Sequence, residues 1–129
     1  MKAVFVEATG FTEWVTKHIP DEQYAALQQE LLDNPDRGDV MPGCGGLRKI
    51  RTADPLRGKG KRGGARVIYL YVPEAKWFFM LDAYGKDEQD DLTAAEKKVL
   101  SGLARELKQQ AKTAADHPRR RRRQRRKTQ

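Results

Sequence analysis

The feature that most constrains this chain is a pair of β-forming runs, Ala65–Val72 and Lys76–Tyr84, separated only by Pro73-Glu74-Ala75. Runs rich in Val, Ile, Tyr and Phe on either side of so short a proline-containing turn make an antiparallel hairpin. Leu47–Thr52 reads as a further strand, with Leu47, Lys49 and Arg51 alternating against Arg48 and Ile50. Ala3–Glu7 reads as a short strand near the N-terminus.

Helical periodicity fills the intervals. Phe11, Trp14, Val15 and Ile19 recur at helical spacing after Thr9, which is expected to cap the helix. Pro20-Asp21 breaks that helix and restarts the chain. A second helix over Asp21–Asp33 has Tyr24, Leu27 and Leu31 on one face and acids in its first turn, and Asn34-Pro35 ends it. Asp36–Gly46 is turn-rich. Thr93-Ala94-Ala95-Glu96 is a capping box, and Val99, Leu100, Leu103 and Leu107 carry the helix that follows to about Asp116. The expected order is β-α-α-β-β-β-α. It implies an α+β layer arrangement in which helices gather on one face of a hairpin-connected sheet.

At 129 residues the chain suffices for one domain, expected over 1–116, with a disordered arginine-rich tail over 117–129. No apolar run is long enough for a membrane helix, and Met1–Glu7 reaches an acid too soon for a signal peptide. Cys44, the sole cysteine, excludes an intrachain disulfide and reads as an incidental loop thiol in a cytoplasmic protein. The net charge of +8 is unevenly spread. Eight basic residues lie in the tail, leaving 18 basic against 18 acidic in the body. Within that neutral body, Arg48–Arg66 holds eight basic residues and the single acid Asp54. A neutral domain with one concentrated basic stretch implies a site for a polyanion.

That stretch runs from Gly45-Gly46-Leu47-Arg48-Lys49-Ile50-Arg51, through Gly58-Lys59-Gly60-Lys61-Arg62-Gly63-Gly64, to Arg66-Val67-Ile68-Tyr69. Glycines allow close backbone approach to phosphate, while Lys and Arg supply charge and donors. The spacing is wrong for a P-loop. Leu81-Asp82-Ala83-Tyr84-Gly85-Lys86 adds a tyrosine able to stack on a base and a lysine able to meet the adjacent phosphate. No Cys/His spacing or calcium loop suggests a metal, and no cofactor is expected. The acids Asp87, Glu88, Asp90 and Asp91 suit the dipole of the capped helix they precede.

In order and spacing, Val4-Phe5-Val6-Glu7, Gly46–Arg51, Gly58–Gly64, Arg66-Val67-Ile68-Tyr69 and Tyr84-Gly85-Lys86 resemble a HigB-type toxin of the RelE/ParE superfamily. The resemblance covers residues 1 to about 110. It implies a small antiparallel-rich sheet with two N-terminal helices packed on one face, and a C-terminal helix. It also implies an mRNA endonuclease acting on messenger RNA in the ribosomal A site and restrained by a cognate antitoxin. Metal-free cleavage requires a base for the 2′-hydroxyl, cations for the phosphorane and an acid for the leaving 5′-oxygen. Histidine is poorly placed for this, because His18 sits among Phe11 and Trp14 on the first helix. The resemblance assigns Arg66 to transition-state stabilisation and Tyr84 to orienting a base. Lys86 serves the leaving group, and Lys59 and Lys61 position RNA or supply a base.

Arg48, Arg51 and Arg62 are expected to bind RNA. Arg119, Arg120 and Arg121, within the tail, either dock on ribosomal RNA or form a solvated extension. Two alternatives stay open: a non-catalytic ribosome-binding protein, and the gyrase-poisoning branch of the same fold. Some HigB members carry histidines where this chain has Ala83, Gly85 and Lys86, which leaves the acid and base unassigned.

Overall fold

In a computed structural model describing residues 2–53, 64–85 and 92–116, the expected hairpin forms the middle of a five-stranded sheet. The elements are β1 (Val4–Glu7), α1 (Thr9–His18), α2 (Asp21–Asp33), β2 (Asp39–Val40), β3 (Arg48–Thr52), β4 (Ala65–Val72), β5 (Trp77–Gly85) and α3 (Ala94–Asp116). The strands lie in the order β1-β5-β4-β3-β2. All pairs are antiparallel except β1 with β5, where Val4 faces Trp77 and Glu7 faces Met80. The fold is α+β. The short β2 lies inside the segment read as turn, and its two residues are held by pairing with Lys49 and Arg48 rather than by strand propensity.

Both faces of the sheet are covered. On one side Val67, Tyr69, Phe78 and Met80 pack with Phe11 and Val15 of α1 and with Leu27 and Leu31 of α2. On the other, Leu47, Leu70, Val72 and Phe79 pack with Ala104 and Ala111 of α3. The gathering of helices on one face therefore holds for α1 and α2 but not for α3. The reason lies in β4, which is apolar on both sides. Without α3, the fully buried Leu70 and Val72 would face water. Cys44 does lie in the loop before β3, but its side chain is buried in the cluster on the α3 side.

Capping follows expectation at one helix and departs from it at another. In α3, Thr93 N–H donates to Glu96 Oε1 (2.9 Å) and Glu96 N–H donates to Thr93 Oγ1 (3.1 Å), completing the capping box. In α1 the cap position is Ala8 rather than Thr9, and it makes no side-chain cap bond. Glu7 organises that end, accepting from the hydroxyls of Thr12 and Tyr24 at 2.7 Å each. The hairpin turn is one residue longer than expected, because Lys76 adopts a φ of 55° and belongs to the turn.

The β4–β5 register holds the detail that matters most for function. Tyr69 pairs with Met80 but Ile68 pairs with Asp82, so Leu81 has no partner of its own. This bulge resets the alternation of β5. Continued without it, the register would set Tyr84 against Ala65 on the α1/α2 side. With it, Tyr84 faces Arg66.

Candidate functional site

Three residues form one row across the sheet. Arg51 of β3 faces Arg66 of β4, and Arg66 faces Tyr84 of β5. Directly opposed residues share a face, here the α3 side, so the row lies on one surface. The adjacent row is Lys49, Ile68 and Asp82. Lys49 was not singled out from the sequence, although its alternation with Arg51 along β3 already put the two on one face.

Arg51 is exposed and Arg66 is half-buried, its Nη1 within 3.3 Å of the Gly64 carbonyl oxygen and 3.4 Å of that of Ala65. Tyr84 is 9% exposed, and its hydroxyl has no hydrogen-bond partner among the described residues. Burial raises the phenol's pKa above its ordinary value, the positive charge of Arg66 opposes the rise, and Asp82 adds to it. The net rise keeps the phenol protonated at neutral pH. The row thus offers two guanidinium groups able to hold a phosphate, with a neutral phenol beside them whose hydroxyl is closed to solvent. So buried a ring leaves little surface for the base stacking expected of it.

Arg48 is not brought to this row. It faces Tyr69 across the strands, on the α1/α2 side. There its Nη1 donates to the carbonyl oxygens of Gly38 (2.7 Å) and Asp36 (3.1 Å), and its Nη2 lies 3.5 Å from the Asp36 carboxylate. Tyr69 secures the same turn, donating to the Pro35 carbonyl oxygen (2.7 Å) and accepting from Gly38 N–H (2.9 Å). The Tyr69 ring and the Lys49 carbonyl come so close that a side chain at position 38 would meet them at 3.0 Å or less, which calls for glycine. His18 belongs to α1, also on that far side. It stacks on Trp14 at 4.2 Å, and its Nδ1 donates to the Trp14 carbonyl oxygen (2.8 Å).

Lys59, Lys61, Arg62, Lys86, Arg119, Arg120, Arg121 and the acids at 87–91 lie outside the described residues. Among the described residues no cluster of three or more His, Cys, Asp or Glu could hold a metal ion, and no helix is long and apolar enough to cross a membrane.

The family model described as the RelE toxin of the RelE/RelB toxin–antitoxin system matches residues 2–118, a span that includes every strand and helix of the fold. The chain belongs to the RelE toxin family.

Proposed function

We propose that this protein is a ribosome-dependent mRNA endonuclease of the HigB branch, acting in the cytoplasm and held inactive by a cognate antitoxin. The observation that carries the reading is the direct opposition of Arg66 and Tyr84 on one face, with Arg51 next in the row. A phosphodiester lying over Arg66 has a second guanidinium next in the row and the buried phenol of Tyr84 on its other side.

In the reaction, the 2′-hydroxyl of the RNA loses its proton to a base and its oxygen bonds to the adjacent phosphorus. The bond from phosphorus to the 5′-oxygen then breaks, and the departing oxygen takes a proton. The products are a 2′,3′-cyclic phosphate and a free 5′-hydroxyl. Arg66 and Arg51 neutralise the charge that builds on the phosphorane oxygens, where a charged donor contributes more than it does in the ground state. Lys59 or Lys61 serves as base. Lys86 supplies the proton to the leaving oxygen.

The test is mRNA cleavage in a purified translation system. Cuts that depend on ribosomes and fall by about 100-fold or more in Arg66→Ala are expected, the loss typical of one transition-state donor. Ribosome binding without cuts by the unaltered protein would replace the nuclease with a non-catalytic binder.

A further inference from the structure

Beside the row of Arg51, Arg66 and Tyr84 lies a cleft of about 760 Å³ between the β2–β3 edge of the sheet and the start of α3. Lys49, Arg51 and Arg66 line it from the sheet, and Lys97 reaches it from the first turn of α3. Met41 and Leu92 give it apolar walls. Arg37 and Glu30, also in the lining, pair with each other at 3.2 Å. Arg66 aside, three cations then remain against one acid, Asp39.

Lys97 is the informative member. A cation in the first turn opposes the helix dipole, so helix stability does not account for its position. Nor does it trail in solvent like its exposed neighbour Lys98. Lys97 is half-buried, and its stem runs past the turn at Gly43, where a side chain would meet its Cδ at 3.6 Å. Neither Lys97 nor Lys49 nor Arg51 has an ion-pair partner among the described residues. Convergent cations beside apolar walls suit a nucleotide, its phosphate on the charges and its base against Met41 and Leu92.

We propose that this cleft holds the nucleotide adjoining the cleaved phosphodiester, with Lys97 of α3 binding its phosphate. The inference rests on the nuclease reading above and adds a contact from outside the sheet. Lys97 binds substrate without joining the chemistry.

The experiment measures binding of the full-length chain to a single-stranded RNA whose 2′-hydroxyls are methylated to prevent cutting, over a range of salt concentrations. Lys97→Ala is expected to weaken binding and flatten the slope of log affinity against log salt by about 0.7, the value of one single-strand phosphate contact. Lys97→Arg keeps the slope and Lys98→Ala leaves it unchanged. An unaltered slope in Lys97→Ala, or an equal loss in Lys98→Ala, overturns the proposal. Circular dichroism on each variant separates lost binding from lost folding. Cleavage by Arg66→Ala, read in parallel, tests the nuclease reading separately: if that variant still cuts, the catalytic assignment fails while the salt slopes still decide the cleft.

Discussion

The two faces of the sheet are built from the same strands yet finished differently. The α1/α2 face is sealed by aromatic packing. Phe78 stacks on Phe5 at 4.8 Å and meets Tyr71 at 4.5 Å and Tyr69 at 6.2 Å. Hydroxyl bonds from Tyr24 and Tyr69 tie this side to β1 and to the α2–β2 turn. The α3 face is covered only in part. Along α3 only Ala104 and Ala111 are buried, while Val99 is 71% and Leu103 38% exposed. Beyond the covered part, the row of Arg51, Arg66 and Tyr84 continues the same face. One face holds the fold together, and the other carries the row of Arg51, Arg66 and Tyr84.

If that division is right, truncating the sealed face must cost far more than truncating the partial one. Phe78→Ala is expected to lose about 3–5 kcal/mol of stability, whereas Leu103→Ala loses about 0.5 kcal/mol. Urea unfolding of the two variants measures the contrast, and comparable losses would erase it. A sharper test uses two arginines of one strand that point to opposite faces. Arg48→Ala forfeits its bonds to the 36–38 turn and is expected to lose about 1–2 kcal/mol of stability while retaining cleavage. Arg51→Ala is expected to do the reverse, leaving stability within about 0.5 kcal/mol and slowing cleavage about tenfold. Unfolding and cleavage assays on both variants decide it.

The smallest effect is on the pH dependence of the sealed face. Burial and the carboxylate of Glu7 raise the pKa of Tyr24 above its ordinary 10.0. Above that pH the unfolded chain sheds this proton while the folded chain keeps it. The contribution is therefore complete below pH 10 and fades as pH rises. Tyr24→Phe is expected to flatten the alkaline limb of a stability profile, measured by denaturation at successive pH values.

Much of this was legible in the residues. The hairpin, the Asp21–Asp33 helix and the capping box of α3 rest on local rules, turn chemistry and periodicity, that act within a few residues. The concentration of charge likewise grouped Arg51 and Arg66, which face each other across β3 and β4. The side of the sheet taken by α3 was not legible locally, since it depends on β4 being apolar on both sides. The contrast between Arg48 and Arg51 was available from strand alternation, yet charge alone grouped them. The position of Tyr84 could not have been read at all. It depends on the unpaired Leu81, a register step set by how two strands meet. Lys97 was equally hidden, because its nearness to the sheet is created by the docking of a helix more than forty positions further along the chain than β3.

The parallel pairing of β1 with β5 has a consequence for the order of assembly. Among the described strands, the earliest made pairs with the latest, so Val4 waits for Trp77. Such distant closure is slow and comes late, after the local hairpin of β4 and β5 has formed. A nascent chain therefore carries α1 and α2 without the sheet they cover. The strand bearing Tyr84 is the one that closes the sheet, so folding and the completion of the row coincide. A truncated product ending before β5 would lack both. A toxin of this fold acquires its row of charged and phenolic groups only once β5 has been made.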